Sequence, residues 1–523
     1  MVFRSRNGKE RIVIHPTKEE NATFTLKVSS NLQTNIDNVS NLLDKPDDLK
    51  IRNLTFGDTS IEGAIVFLEG LVEPIAIQQS ILGNLESAED YPNNSEQLLQ
   101  FIYTKYIAIN DVQKAQIFDE LTTKLLAGYT ILFIDGVSDV LVIETIGGEF
   151  RAIEEPVTET LIRGPRAGFV ENIQTNLGLI RRRAKDSNLR FDTHIAGSRS
   201  HTSIVVAYIK DIIQPEILEE VNRRLATIDI DMIPESGYVE EWIEDSFLSP
   251  FPQILNTERP DKAVAAMMQG KVAIIVEGTP IVLIAPTSFT SVLQSPEDYY
   301  ERWLIGSLLR ILRYFAAFIA LFLPALYIAL ISLQPAMLPT DLVFSIAGSR
   351  EGVPFPPVIE ATLMVVTMEL LQEAGARLPQ TIGQTIGIVG GLVIGEAAVQ
   401  AGIVSPIMVI VIALTAIATF VIPSYSMAIS FRIVRFAFMF AAGIFGMYGI
   451  ILIYIMINIH FVNLTSFGVP YSSSFAPFYP SDWYDTVLRA PIQTDKMRPK
   501  FMRTKDDIFL DNKKENKNES NKQ

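Results

Sequence analysis

The hydrophobic pattern of this chain changes character near Arg313. Before that point short apolar runs alternate with polar segments, and after it long stretches pass with few charges. In the first part Ala64–Leu68 and Ile131–Ile134 are short, apolar and β-branched, which predicts buried strands. Val140–Ile146, the pair Gly147-Gly148 and Glu149–Ile153 predict strands about a hairpin turn. Asp111–Leu126 has the spacing of an amphipathic helix. A capped helix is expected around Asn38–Leu43, within a polar stretch over residues 1–50 that otherwise reads as flexible extension. Phe169–Ala184 has helical spacing and ends in Arg181-Arg182-Arg183, in a segment that bridges two subdomains. A second α/β unit follows, with a strand at Thr202–Ile209, a helix at Gln214–Thr227, a strand at Ile228–Ile233 and a short helix at Gly237–Asp245. Asp261–Gln269 is a helix with Pro260 in its first turn, where the missing N–H costs nothing. Val272–Val276 and Ile281–Ile284, separated by EGTP, form a hairpin. Subdomain 1 then covers residues 51–180 and subdomain 2 residues 190–300.

Five apolar segments follow: Tyr314–Leu333, Pro357–Ala376, Thr381–Gln400, Ile403–Ile422 and Ile433–Ile459. Twenty helical residues at about 1.5 Å each match a hydrocarbon core of roughly 30 Å. The fold class read from this pattern is a soluble α/β N-terminal region of two subdomains followed by an all-α polytopic membrane domain over residues 301–462. A polar tail covers 463–523, and its end, KKENKNESNKQ, is expected to be disordered. Arg302, Arg310 and Arg313 flank the first span and place the soluble region inside by the positive-inside rule. Five crossings would leave the tail outside, whereas Lys496, Arg498, Lys500 and Arg503 favour the inside, so one segment is expected to be re-entrant or interfacial.

Within the third segment Gly383, Gly387, Gly391 and Gly395 recur at four-residue spacing. Such a stripe lets helices approach backbone to backbone, which is how they associate in lipid. The alternative, a glycine-rich loop of a soluble enzyme, sits poorly with the apolar segments on either side. GIVGGLVIG also lacks the Gly-Lys-Ser/Thr ending of a phosphate loop.

Charge and composition narrow the function. The net charge of −15 argues against nucleic acid as a partner, since phosphate binding needs a basic surface. The absence of cysteine excludes disulfides, thiolate metal sites and cysteine nucleophiles. The start MVFRSRNGKERIVIHP has no apolar core of signal-peptide length. His15, His194, His201 and His460 form no ligand pattern, so neither a metal nor a cofactor is implied. AGSRSHTS reads as a polar turn, with a small-ligand site as the alternative. Arg181–Arg183 reads as a solvated helix end, with an acidic neighbour or headgroups as the alternative.

The chemistry concentrates in Pro357–Ala376, apolar enough for lipid yet holding Glu360, Glu369 and Glu373, with Arg377 just beyond. On a helical wheel Thr362, Val366, Glu369, Glu373 and Arg377 share one side, while Glu360 and Thr367 lie roughly opposite. Carboxylates in lipid are costly and should meet a bundle interior, a partner or water. One reading is a helix lining an aqueous path, with Thr362, Val366, Glu369 and Glu373 as pore-lining or gating residues. The other is an internal pair of Glu373 with Arg377, four residues on. Glu396 and Gln400 are read at headgroup level rather than in conduction.

The blocks EPVTETLIRGPRAGFVENIQTNLGLIRRR, SPFPQILNTERPDKAVAAMMQGKVAIIVEGTP, PFPPVIEATLMVVTMELLQEAGARLPQTIGQTIGIVGGLVIGEAAVQAGIVSP and SFGVPYSSSFAP resemble the A-type subunits of the GerA family of spore germinant receptors. The resemblance runs from about Pro156 to Pro477. Val365 departs from it, because the family pattern implies an acid there. The resemblance implies a non-enzymatic subunit in the spore inner membrane, its N-terminal domain on the core side. It also implies a transporter-like B-type subunit and a C-type lipoprotein as partners, homo-oligomerisation, and nutrient-triggered release of monovalent cations. A non-conducting scaffold that positions the nutrient-binding partner is the alternative. A secondary transporter would need inverted repeats, and none is evident.

Overall fold

The computed structural model describes residues 26–509 apart from 58, 87–90, 108, 110, 148–154, 157, 378–390, 392, 495 and 496. The chain divides into two compact units, Met1–Gly148 and Glu149–Gln523.

In the first unit helix α1 (Leu32–Leu42) begins where the Asn31 side chain accepts from the Thr34 amide at 2.9 Å. Strands β1 (Leu49–Thr55), β2 (Glu62–Leu68), β3 (Val112–Ala115), β4 (Tyr129–Ile134) and β5 (Val140–Glu144) form one sheet, order β1-β2-β4-β5-β3, with every pair antiparallel. Both faces of this sheet are covered. Ala64, Val66, Ile131, Phe133 and Val142 pack under α1 and helix α3 (Phe118–Leu126), while Ile65, Leu132, Ile134, Leu141 and Ile143 pack under helix α2 (Ser95–Lys105) and a π-helical turn at Ala76–Leu82. Burial on two faces explains why these strands read as apolar runs rather than as alternating sequence.

Three expectations change here. The helix expected over Asp111–Leu126 is a strand followed by a helix, because Val112–Ala115 pairs with Val140–Ile143 at the sheet edge. Residues 26–50 are only partly extension, since Leu32, Ile36, Val39 and Leu43 are core residues of the first unit. Val140–Glu144 pairs with Tyr129–Leu132, and the hairpin arm expected at Glu149–Ile153 lies mostly outside the described residues.

The second unit repeats the design. Helix α4 (Ile173–Arg183) precedes β6 (Leu189–Ala196) and β7 (Thr202–Ile209), then α5 (Pro215–Leu225), α6 (Ser236–Ile243), β8 (Leu255–Thr257), α7 (Pro260–Met268), β9 (Val272–Val276) and β10 (Val282–Ala285). The sheet order is β6-β7-β9-β10-β8, again antiparallel and covered on both faces by helices. The helix expected over Phe169–Ala184 thus forms and packs in this unit. β6 escaped sequence reading because Arg190, Asp192 and His194 interrupt it. The strand expected at Ile228–Ile233 does not form. Its carbonyls at Ile230 and Asp231 accept from the amides of Ser198, Arg199 and Ser200 at 2.9–3.1 Å, bracing the β6–β7 turn instead. Arg181 is not a solvated helix end: it is buried, with its guanidinium 4.8 Å from the Phe191 ring centroid.

The helical part comprises α8 (Trp303–Ser332), α9 (Thr340–Ser349), α10 (Pro357–Arg377), α11 (Pro406–Phe420), α12 (Tyr425–Phe445) and α13 (Met447–Asn463), with residues 393–400 also helical. Among the described residues α8 and α12 are long and apolar enough to cross a membrane, while α11 and α13 are apolar but shorter. The segments expected at Tyr314–Leu333, Pro357–Ala376 and Ile403–Ile422 are largely helical, while Thr381–Gln400 lies mostly outside the described residues. Ile433–Ile459 is two antiparallel helices, broken at Gly446, whose φ of +62° suits glycine. Between the first two apolar segments lies α9, with Asp341 in its first turn.

The polar tail is packed over much of its length. Tyr471 is fully buried, the Ser466 hydroxyl accepts from the Thr287 amide at 2.9 Å, and the Asp485 side chain meets Arg310 at 2.9 Å. The tail thus returns to the end of the bundle that carries the second sheet. Arg310 and Arg313 are equally unlike a charged flank. Both sit inside α8, buried, and both pair with Asp298.

Candidate functional site

Helix α10 starts with Pro357 and packs its Ala361, Met364 and Val365 into the bundle core. Val365 is therefore a buried core residue. One end of the helix carries Glu360, which is 0% exposed. Its Oε1 accepts from both the amide and the hydroxyl of Ser405 at 2.6 Å, and its Oε2 lies 3.3 Å from Arg350 Nη2. Ser405 is the N-cap of α11, so the carboxylate also faces the positive end of that helix. Sequence reading had placed Glu360 away from the candidate face. Its signal was already there: an acid in an apolar segment must find partners.

Nine residues along, about 13 Å of helix rise, Glu369 meets two cations. Its Oε2 is 3.2 Å from Arg432 Nη1 and its Oε1 is 3.6 Å from Arg435 Nη1. Arg435 is fixed in turn by Nε donating to the Ala320 carbonyl at 2.7 Å and Nη2 donating to Thr419 Oγ1 at 2.8 Å. Glu369 therefore ties α10 to α12, and Arg435 extends the tie to α8 and α11.

The remaining candidates lie along the same flank of α10. Thr362 is half-buried and donates to the Val358 carbonyl at 2.7 Å. Val366 and Glu373 are exposed, and Ile359, Leu363 and Leu370 continue the exposed stripe. The Arg377 side chain, the partner considered for Glu373, lies outside the described residues, as do Gly383 and Gly387. Among the described residues a Cβ on Gly391 would meet nothing within 4 Å, and one on Gly395 would sit 3.4 Å from Val409 Cγ1. Glu396 accepts from Gln400 at 3.0 Å, and both are exposed. Tight helix approaches inside the described bundle occur at Gly443, where a Cβ would lie 2.5 Å from Val358 Cγ2, and at Gly449, where one would lie 2.1 Å from the Ala441 carbonyl oxygen.

Outside the bundle, His194 bonds to Asn222 and His460 to Ser249, at 3.0 and 2.9 Å. Among the described residues no group of three or more His, Asp or Glu could hold a metal ion. The site is thus a helix with two buried or half-buried ion-paired acids on its packed side and a third acid on its open side. It holds charge within an apolar bundle.

Comparison with known proteins gives the family of the chain. Residues 37–501 match the family model described as the Bacillus/Clostridium GerA spore germination protein. The spore germination protein GerLA of Bacillus cereus is 47% identical over 481 residues, covering 92% of this chain and 97% of that protein. The spore germination protein KA of Bacillus subtilis (strain 168) is 43% identical over 482 residues, covering 92% and 88%. A crystal structure of the N-terminal domain of the A subunit of the Bacillus megaterium spore germinant receptor GerK3 aligns with a TM-score of 0.40 and 33% identity, over 51% of this chain and 98% of that one.

Proposed function

We propose, from the premise that this chain belongs to the GerA family of spore germination proteins, that it is the membrane-embedded A-type subunit of a germinant receptor and that copies of it assemble around a cation path. Membership makes it a receptor subunit and not an enzyme. In this reading the bundle lies in the spore inner membrane with the two sheet subdomains on the core side. The return of α13 beside α12 supports an even number of crossings, which leaves the basic tail on the side its charge favours. A transporter-like B-type subunit and a C-type lipoprotein complete the receptor, the B-type subunit holding the nutrient pocket.

The observation that carries the reading is the open stripe of α10. Ile359, Leu363, Val366 and Leu370 are exposed and lead to the exposed carboxylate of Glu373. A ring of such helices around an axis would set that carboxylate along a water-filled path. Glu369, already held by Arg432 and Arg435, would then set the position of α10 and so the state of the path.

The test is cation permeability of the purified subunit in liposomes. Glu373→Gln is expected to lower flux or cation selectivity several-fold with assembly intact, and Glu369→Gln to alter gating. Unchanged flux and selectivity in both variants would count against conduction. The double ion pair at Glu369 itself favours a second reading, a non-conducting scaffold whose acids only lock the bundle, in which case wild-type liposomes stay tight.

A further inference from the structure

Between α6 and β8 the chain makes a short loop, Asp245–Pro250, whose tip is Phe247 and Leu248. These side chains are 80% and 81% exposed. The loop is nonetheless held on both sides. The Ser246 amide donates to Gln253 Oε1 at 2.9 Å, and Gln253 Nε2 donates back to the Ser246 carbonyl at 2.7 Å. Asp245 is paired with Arg224, and its Oδ2 accepts from the Thr465 hydroxyl at 2.6 Å. Two large apolar side chains are therefore presented outward by a braced loop, with the neighbouring aspartate already neutralised.

Their depth follows from what the loop touches. Ser249 Oγ is 2.9 Å from His460 Nε2, Phe251 packs on Phe461 with ring centroids 4.4 Å apart, and the Pro250 carbonyl accepts from the Ser430 hydroxyl. His460 lies three residues before the last residue of α13, about 4–5 Å inside that helix end. Ser430 lies five residues beyond the first residue of α12, about 7 Å inside its end. At the same level α12 exposes Ile429 and Ile433, and α13 exposes Ile459 and Val462. The residues that directly follow Phe247 and Leu248 thus pack beside the outward apolar surface of the bundle, inside its helix ends.

We propose that this loop is a lipid-embedded wedge: Phe247 and Leu248 insert at the boundary of headgroups and acyl chains of the bilayer and fix the second sheet subdomain against the membrane surface. Apolar and aromatic side chains at that depth are stabilised by partial transfer out of water. The proposal rests on the bundle being embedded in a membrane, and its test separates the two.

The chain has no cysteine, so single substitutions give unique labels in the full-length protein. Leu248→Cys, Phe440→Cys on the outward face of α12, and Ile162→Cys, at a position 96% exposed, are each labelled with an environment-sensitive fluorophore in phosphatidylcholine proteoliposomes. Quenching is read with chain-brominated phospholipid and with aqueous iodide. The expected result is bromolipid quenching at 248 several-fold above that at 162, with iodide quenching several-fold below. Iodide quenching at 248 equal to that at 162, with 440 still quenched by bromolipid, overturns the wedge and leaves the embedded bundle standing. Protection at 248 from both quenchers means that protein covers the loop, which also overturns it. Failure of bromolipid to quench at 440 overturns the embedded bundle and the wedge with it.

Discussion

Single ionisable residues decide how the second unit responds to pH. Glu240 lies within α6 and Glu244 caps its end, and both carboxyls are pushed up to about 7. Burial is the main cause for each. Glu244 and Glu235 add to it at Glu240, and Glu241 and Asp245 add to it at Glu244. A carboxyl whose folded value is raised keeps its proton where the unfolded chain has already lost it. The corresponding stability is complete below the ordinary glutamate value and drains away as pH rises through about 7. Glu240→Gln removes one such group at little change in shape. It is expected to raise the melting temperature at pH 8 by about 2 °C and to leave it unchanged at pH 4. Thermal scans across that range check both ends, and an equal effect at the two pH values would show that charge is not the cause.

At the scale of elements, close helix packing acts beside the ion pairs in setting the bundle. A Cβ at Gly443 would come 2.5 Å from Val358 Cγ2, so α10 and α12 touch nearly backbone to side chain there. Gly443→Leu is expected to force the two helices apart at a cost of about 1–3 kcal/mol, whereas Gly391→Leu, which meets nothing within 4 Å, should leave the melting temperature of the single chain unchanged and act on association between copies. Detergent-solubilised thermal unfolding and cross-linking distinguish the two effects. This contrast also marks what sequence could reveal. Strands such as Thr202–Ile209 and Val272–Val276 were legible because burial on both faces leaves a continuous apolar run. Leu189–Ala196 was not, since Arg190 and Asp192 break that run at a sheet edge. Asp111–Leu126 misled because helical spacing in α3 continued by chance into an edge strand. The acids of α10 were visible as costly residues, but their partners Arg350, Ser405, Arg432 and Arg435 come from other elements. Helical periodicity cannot name a partner across a bundle.

The second unit as a whole is joined at one buried charge cluster. Asp298 comes from the segment before the bundle, Arg310 and Arg313 from α8, and Asp485 from the tail. Arg313 Nη1 lies 2.7 Å from each Asp298 carboxylate oxygen, and Arg310 Nε lies 3.2 Å from Oδ2. With Asp298 and Arg310 at 0% exposure, neither partner can fall back on water. Removing the charge in Asp298→Asn keeps the shape but leaves two guanidiniums facing a neutral amide. Breaking a buried pair in this way typically costs about 3–5 kcal/mol. Asp485→Asn is a milder change, because its side chain is 26% exposed and its main-chain carbonyl still accepts from Arg310 at 2.6 Å. A cost of about 1 kcal/mol or less is expected there. If the cluster is the joint between sheet, bundle and tail, Asp298→Asn should also release the tail to limited proteolysis while Asp485→Asn does not. Equal, small losses of stability in the two variants would mean that the apolar contacts of Tyr471 and Phe467 hold the tail by themselves.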